Sequence, residues 1–284
     1  LSTDGCFTLG CAVCASVTLA GHPVLGLLAA MAAGVCSGFV TAFLQTRLGI
    51  QSILAGIIVN TGLYTINIAV MGFASNLNLF ACDSVFTWAK DAIGGTWYKL
   101  IVAAVIVALV GVLISLFLNT RLGLSIRATG DNPDMVRASS INTGMMITIG
   151  LCVANALTGL SGGLLAQYQK SCDINLGTGM VTIALASLII GETIIGKGSM
   201  LKRVIGVILG SCLYRFIVAV ALRLNVPAEC LKLVSSIIVA VAIAFPYLKK
   251  QAVFYRQKRA AKAENEQYIA ELLREERMGK GGNA

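Results

Sequence analysis

The sequence predicts an all-α, polytopic membrane protein with about eight transmembrane helices. Of its 284 residues, 57% are hydrophobic and 12% are charged, whereas soluble domains have about 45–50% apolar and about 25% charged residues. The charges also gather at the C-terminal end, where residues 249–284 hold nine of the 22 Lys and Arg residues. Residues 1–248 are therefore predicted to form a transmembrane domain, and residues 249–284 a basic and amphipathic cytoplasmic tail.

Uncharged runs between ionisable residues locate the helices, because a membrane span needs about 20 mostly apolar residues. The run from Gly5 to Thr46 is long enough for two spans, with a turn at residues 21–23. The run from Leu48 to Cys82 fits one span, at about residues 53–73, followed by an irregular outer segment. Five further runs complete the set: Leu100–Thr120, Ala138–Gln169, Ile174–Gly196, Val204–Leu222 and Leu233–Leu248.

The positions of Lys and Arg orient the bundle, because the side with more positive short loops is normally cytoplasmic. Counted over alternate loops, seven Lys and Arg residues lie on one side and the tail adds nine, against five on the opposite side. The excess predicts a C-terminus in the cytoplasm. In the tail, six Lys and Arg residues precede the first acid, Glu264, a pattern that attracts anionic lipid headgroups.

The N-terminus leaves two explanations open. The chain begins at Leu1, and its first predicted helix, at about residues 5–20, is short for a membrane span. Either an upstream helix precedes Leu1, or Leu1 derives from a non-ATG start codon. The segment does not match the pattern of a signal peptide, since it lacks both a Lys/Arg-rich start and a small-residue cleavage site.

No catalytic residue and no metal site is expected. The sequence contains one histidine, and its nine cysteines lack the spacing of metal ligands. Most cysteines fall in predicted helices, where Cys behaves as a small apolar residue. Cys82, Cys172 and Cys230 all map to the outer side, where disulfide pairing is the alternative to packing.

Two glycine patterns favour packing over chemistry. Residues 191–198 nearly match a phosphate-binding loop, but Gly198 replaces the hydroxyl residue that would hold Mg²⁺, so this chain is not expected to hydrolyse nucleotide. Small-residue faces that let helices approach closely, within the chain or against a second copy, occur at Gly34-xxx-Gly38, Gly159-xxx-Gly163 and Gly206-xxx-Gly210.

Polar residues within the predicted spans are candidates for a solute pathway, because burying them in hydrocarbon is costly. For the amides, hydrogen bonds between helices are the alternative. Asp4 either caps unpaired backbone amides or marks a discontinuous helix that points into a central cavity. For Glu192 and Arg215 the alternative is a structural polar network. They lie at different depths, so an ion pair between them would require tilt or a water bridge. The candidates are Asp4, Asn60, Asn67, Asn155, Gln167, Glu192 and Arg215.

The segment between Arg121 and Asn142 carries the sharpest signal. Asn132 and Pro133 predict the start of a short helix, with Asn132 as its cap and Pro133 at its first position. Asp134 would complement the positive end of that helix. From Pro133 to about Ile141 the chain is therefore expected to lie along the membrane surface, and a generic amphipathic loop helix is the alternative interpretation.

These residues resemble a known family. The run Arg127-Ala-Thr-Gly-Asp-Asn132, followed by Ala138 and Ile141-Asn142, is similar to the coupling-helix region of ABC importer permeases of the ribose and branched-chain amino-acid superfamily. Further segments resemble the subgroup paired with lipoprotein-type binding proteins, some of which carry tryptophan or tyrosine: residues 1–10, 53–57, 63–72, 165–169 and 186–192. The resemblance reaches about Lys250 and leaves residues 251–284 unexplained.

The resemblance implies a homodimer in a bacterial plasma membrane, with a solute path at its two-fold axis. A separate ATPase subunit would bind ATP and Mg²⁺ and receive the coupling helix of each permease, while this chain carries no cofactor. An extracytoplasmic binding lipoprotein would deliver the solute, an amino acid or related compound, to the outer segment, and no nucleic-acid partner is expected. The implied ATPase contacts are Arg127, Gly130, Asp131, Asn132, Pro133, Asp134, Met135 and Arg137.

Two other classes of function are less favoured. A self-contained secondary transporter would show two similar halves and mid-membrane carboxylates for a coupling ion, and the sequence has no clear internal repeat. An intramembrane enzyme would need a nucleophile or a metal constellation. The sequence therefore predicts a transport subunit rather than an enzyme, with the secondary transporter as the alternative.

Overall fold

The computed structural model describes residues 2–95, 97–196 and 198–223, together with isolated residues between 233 and 262. Most of this part of the chain is helical, with one sheet of two short strands. The elements in chain order are α1 (Thr3–Leu19), α2 (Pro23–Thr46), α3 (Ser52–Val70), β1 (Asn76–Asn78), α4 (Val85–Ile93), α5 (Tyr98–Asn119), α6 (Arg121–Asp131), α7 (Pro133–Ala138), α8 (Thr143–Gln169), β2 (Ser171–Asp173), α9 (Met180–Ile195) and α10 (Met200–Arg223).

Seven of the eight predicted spans correspond to helices of the structure. Five of them, α2, α3, α5, α8 and α10, are long and apolar enough to cross a membrane, and α1 and α9 are shorter apolar helices. The protein is therefore an all-α, polytopic membrane protein, as predicted. The eighth predicted span, residues 233–248, and the tail lie outside the continuously described ranges.

The sixth predicted span begins later than expected. The charge pattern placed its start at Ile174, whereas α9 begins at Met180. Residues 171–173 form β2, which pairs antiparallel with β1, and residues 174–179 form turns that run inward and reach α1. The run is uncharged from Ile174 to Gly191, so gaps between charges could not separate these turns from the helix.

The fifth predicted span is also shorter than expected. It begins at Thr143 rather than at Ala138, because the side-chain oxygen of Asn142 accepts a hydrogen bond from the backbone N–H of Met145 at 3.1 Å. This cap separates α8 from the short helix α7 in front of it. The bundle therefore has an α7 end, where α6, α7 and the start of α8 meet, and an opposite sheet end with β1 and β2.

The sheet end encloses a core of buried apolar residues. Cys11 of α1 and Cys172 of β2 lie in this core together with Met71, Leu79 and Ala166. All eight cysteines among the described residues have free thiols, and four of them are buried as small packing residues: Cys6, Cys11, Cys14 and Cys172. Cys230 lies outside the described residues.

Helix α1 lies at the centre of the bundle. It packs against α2, α3 and α8, and it also touches β2 and α9. Eleven of its 17 residues are buried, and small residues such as Cys6, Ala12 and Ala15 let the neighbouring helices approach closely. The most polar part of this helix, its first turn, is therefore enclosed by other helices.

Glycines set the distance between α2 and α8. A Cβ atom on Gly38 would lie 2.6 Å from the carbonyl oxygen of Leu151, and one on Gly34 would overlap the carbonyl of Asn155. Gly159 in turn lies against the backbone of Ala30. Two of the three predicted small-residue faces therefore pack within the chain.

The third small-residue face joins α9 to α10. Side chains added at Gly206 and Gly210 would press on the backbones of Gly191 and Ser187, respectively. These two helices form a tight antiparallel hairpin as a result. Close packing of this kind, rather than hydrophobic exclusion, drives helix association in lipid.

The glycine contacts predict a large effect of one substitution. A Cβ atom on Gly162 of α8 would overlap the carbonyl of Phe7 in α1, so Gly162→Val is expected to destabilise the protein by at least about 1–3 kcal/mol. The control is Gly62→Val, because Gly62 of α3 has open space around it. Thermal unfolding in detergent, followed by a thiol-reactive dye that labels the buried cysteines, measures both variants. Equal midpoints for the two would contradict the prediction.

Candidate functional site

The start of α7 is defined by its own sequence. Asn132 has an extended backbone, and its side-chain oxygen accepts hydrogen bonds from the backbone N–H groups of Asp134 and Met135, both at 3.1 Å. Pro133 occupies the first helical turn. The predicted cap is therefore confirmed, but the helix ends at Ala138 rather than at about Ile141, because Ser140 has a positive φ of 60°.

Two residues attach α7 to the rest of the bundle. Val136 is buried, with 4% of its surface exposed. Arg137 donates a hydrogen bond from Nε to the hydroxyl of Thr143, the first residue of α8, at 3.2 Å. The ion pair between Arg137 and Asp134 spans 3.8 Å and is largely exposed, so it contributes little stability.

The opposite side of α7 is exposed. Met135 has 69% of its surface accessible, and methionine is a residue that adaptable protein-binding surfaces use often. Arg127 is half-buried in α6, and Gly130 is exposed with no heavy atom near its Cβ position. We call the exposed residues the α7 surface, which consists of Asp131, Asn132, Pro133, Asp134, Met135 and Arg137.

A groove lies beside α7 at the same end of the bundle. It has a volume of about 740 Å³ and runs between the end of α2 and the start of α8. Phe39, Phe43 and Met145 give it an apolar wall, and Arg47 and Asn142 add polar groups. The α7 end therefore combines a rigid exposed helix with an adjoining concave surface.

Asp4 connects two helix starts that are far apart in sequence. Its carboxylate accepts hydrogen bonds from the backbone N–H groups of Gly179, at 3.1 Å, and Val181, at 3.0 Å. The hydroxyl of Thr8 accepts a third, from the N–H of Gly177 at 3.2 Å. Asp4 therefore caps α9 and not its own helix.

Asn60 and Asn67 of α3 hold the first turn of α1. The side-chain oxygen of Asn60 accepts a hydrogen bond from the N–H of Gly5 at 2.6 Å, and Asn67 donates to the carbonyl of Gly5 at 3.1 Å. Asn67 is 2% exposed, and its own oxygen has no hydrogen-bond partner among the described residues. Both amides thus bond across helices, which favours the packing interpretation.

Asn155 of α8 also bonds across helices. Its side-chain oxygen accepts a hydrogen bond from the hydroxyl of Ser2, which in turn contacts the hydroxyl of Thr41 at 3.2 Å. The backbone carbonyl of Asn155 accepts a hydrogen bond from the thiol of Cys6 at 3.3 Å. These bonds join α1, α2 and α8 around the first turn of α1.

Gln167 also forms hydrogen bonds between helices, at the sheet end of the bundle. Its amide nitrogen donates to the carbonyl of Pro23 at 2.7 Å, and its oxygen accepts from the N–H of Val85 at 3.2 Å. Gln167 is 1% exposed. It therefore connects α8 to the starts of α2 and α4 from a buried position.

Glu192 and Arg215 differ from the other candidates. Glu192 is half-buried in α9, and Arg215 is exposed on α10. Within the described residues no ion pair joins them. Glu192 lies near the end of α9, whereas Arg215 lies well inside α10, and a charge in mid-membrane normally faces a water-filled cavity or another protein surface.

The contacts of Thr8 and Gly177 were not predicted. The two residues lie 169 positions apart, and neither has a neighbour in sequence that signals this contact.

Among the described residues no group of three or more His, Cys, Asp or Glu could hold a metal ion.

The known proteins to which this chain is similar are permease components of transport systems. The family model for the branched-chain amino acid transport system permease component matches residues 1–243. The tyrosine transport system permease protein of Clostridioides difficile (strain R20291) is 34% identical over 86% of this chain and 80% of that protein. The ribose import permease protein RbsC of Escherichia coli (strain K12) is 25% identical over 86% of this chain and 75% of that protein. The D-allose transport system permease protein AlsC of the same strain is 31% identical over 72% and 63%, respectively. No solved structure matches the chain.

The contacts of Asp4 predict a graded loss of stability. Asp4→Ala removes the cap from α9 and is expected to cost about 0.5–2 kcal/mol, whereas Asp4→Asn keeps one oxygen acceptor and is expected to cost less. Thr3→Ala is the matched control, since Thr3 lies one residue away and its side chain forms no hydrogen bond within the described residues. Thermal unfolding of the purified protein ranks the variants, and an Asp4→Ala midpoint equal to that of Thr3→Ala would contradict the assigned cap.

Proposed function

Since the chain belongs to the family of permease components of branched-chain amino acid transport systems, we propose that it is the membrane subunit of an ATP-binding-cassette importer. The family assignment makes it a transport subunit and not an enzyme. The proposed solute is an amino acid or related compound, delivered by an extracytoplasmic binding protein. The α7 surface carries this proposal, because it offers a separate motor a rigid point of attachment.

The connections of α7 support mechanical coupling. Arg137 bonds α7 to the first residue of α8, and α8 extends for 27 residues through the bundle. Along its length α8 contacts α2 and α1 through glycine positions such as Gly159 and Gly162. Displacement of α7 by an ATPase would therefore move α8, and α8 would shift the helices packed against it between two arrangements.

The proposed orientation places the α7 end in the cytoplasm and the sheet end outside. The excess of Lys and Arg in the loops of the α7 end supports it. ATP and Mg²⁺ would bind to the ATPase subunit at the α7 end, and the binding lipoprotein would dock at the sheet end. The host membrane is then a bacterial plasma membrane, with the C-terminal tail on the cytoplasmic side.

A second copy of the chain is proposed to complete the solute path. In the single chain, Arg215 has an exposed position well inside the apolar helix α10, which is costly in contact with lipid alone. A two-fold axis near α10 would give this charge a water-filled path or a polar partner surface. We propose Glu192 and Arg215 as pathway residues and assign the buried amides to packing.

The proposal that the solute is an amino acid or related compound rests on one relative. The C. difficile relative, 34% identical, is named for tyrosine transport, whereas the two E. coli relatives are named for ribose and D-allose. In such a system the solute specificity resides largely in the separate binding protein. Measuring which compound the partner binding protein retains would test this assignment independently of the permease.

The α7 surface predicts that one side chain contributes strongly to ATPase binding. Met135→Glu places a charge in the proposed apolar contact, and a lost central contact typically weakens binding about tenfold or more. Because Met135 is exposed and outside the core, folding should be unchanged. Asn78→Glu, an exposed change at the sheet end, is the control. Co-purification of the ATPase with each permease variant measures the effect, and equal recovery would contradict the assignment.

Replacing most of α7 together with its cap tests coupling more severely. A Gly/Ser linker in place of residues 132–137 removes both the cap and the exposed surface. Uptake is expected to fall to background while the permease still inserts into the membrane. Continued uptake by cells that carry this variant would rule out α7 as the coupling element.

A further inference from the structure

A second cavity lies on the side of the bundle, and no residue of α7 lines it. It has a volume of about 440 Å³ and is bounded by α5, α8 and α10. Its lining is almost wholly apolar, with residues such as Val110, Leu160 and Val207 on the three helices. We call it the lateral groove. Its size is within the range of small-molecule binding sites, and its walls suit a hydrocarbon chain.

The length of the groove matches one leaflet of a bilayer. On α5 it extends from Ile106 to Leu118, a rise of about 18 Å at 1.5 Å per residue. The hydrocarbon core of a bilayer is about 30 Å thick, so one leaflet contributes about 15 Å. On α5 and α10 the groove therefore lies in the half of the bundle nearer α7, whereas on α8 its lining runs from Leu157 to Leu164, in the half nearer the sheet end.

Arg203 carries the one charge among the described residues that line the groove. It lies in the first turn of α10, next to Leu118 at the α7 end, and it is exposed. The exposed side chain of Lys202 adds a second positive charge at the same end. A guanidinium binds phosphate oxygens in a bidentate geometry.

Helix α5 has few packing contacts with the rest of the bundle, so a molecule bound in the lateral groove would add to them. Of the 22 residues of α5, the buried ones are Gly111 and Ser115, and a Cβ atom at Gly111 would lie 3.2 Å from Val204 of α10. The helices therefore lie close together at this position, and Gly111 and Val204 also line the lateral groove. A chain lying in the groove would fill the gap between α5 and the α9–α10 hairpin.

We propose that the lateral groove binds a phospholipid with an anionic headgroup, its acyl chain between α5, α8 and α10 and its phosphate on Arg203. An apolar slot that has leaflet length along α5, with a cation at its mouth, supports this occupant over an extended peptide, whose backbone amides would find no partners in the wall. A helical segment pairs its own amides, and the crosslinking experiment below distinguishes it from a lipid. Basic pockets between transmembrane helices commonly hold such headgroups. With the α7 end in the cytoplasm, this lipid would belong to the cytoplasmic leaflet. That placement depends on the proposed orientation, whereas lipid binding itself does not.

The experiment measures headgroup preference in the purified full-length chain. The protein is exchanged into micelles that contain equal amounts of phosphatidylglycerol and phosphatidylcholine, and native mass spectrometry counts the retained lipids. We expect preferential retention of phosphatidylglycerol. Arg203→Gln should lower that preference about fivefold, the effect of one cation near a headgroup, whereas Arg223→Gln, at the other end of α10, should preserve it. Equal retention of the two lipids, or an unchanged preference in Arg203→Gln, would overturn the proposal.

A crosslinking arm identifies the occupant directly. Benzoylphenylalanine in place of Val110 puts a photoreactive group inside the groove. A lipid adduct in native membranes supports the proposal, and an adduct to a peptide of this chain or of a second copy overturns it. The readout is independent of transport, so failure of the importer assignment would leave this result unaffected.

Discussion

A helix that begins inside an apolar bundle leaves backbone N–H groups that neither lipid nor water can satisfy. Two helices of this protein, α1 and α9, begin in this way, and their first turns meet. Asp4 bonds the free amides of α9, and the amides of α3 hold Gly5 at the start of α1. The position of the central helix, and through it the arrangement of α2, α3 and α8, depends on this hydrogen-bonded junction, which is partly buried.

The junction also separates two kinds of polar residue. Asn67, Asn155 and Gln167 are buried and bond to backbone groups or hydroxyls of neighbouring helices, so they stabilise the bundle. Arg215 makes no such bond within the described part of the chain, and its side chain is exposed. The polar groups in the core of the chain are therefore largely used in packing, which is why we propose a solute path at a surface that a second subunit would cover.

Local signals in the sequence predicted most elements. Charge-free runs located seven helices, and Asn132-Pro133 located the start of α7, because a cap acts on amides two and three residues away. The turns at residues 174–179 were missed, since they interrupt an apolar run without adding charge. The bonds from Asp4 to Gly179 and Val181 span 175 and 177 residues, and no pattern within one segment reveals such a contact. Local chemistry was therefore predictable, whereas the pairing of distant segments required the structure.

The central claim is that an external motor drives this membrane domain through α7. Its most direct test is solute accumulation in proteoliposomes that contain the permease, its ATPase and its loaded binding protein. We expect accumulation with a hydrolysing ATPase and none with a catalytically inactive one. Accumulation with the inactive ATPase, or on an ion gradient with no ATPase present, would contradict the account and make the chain a self-contained transporter.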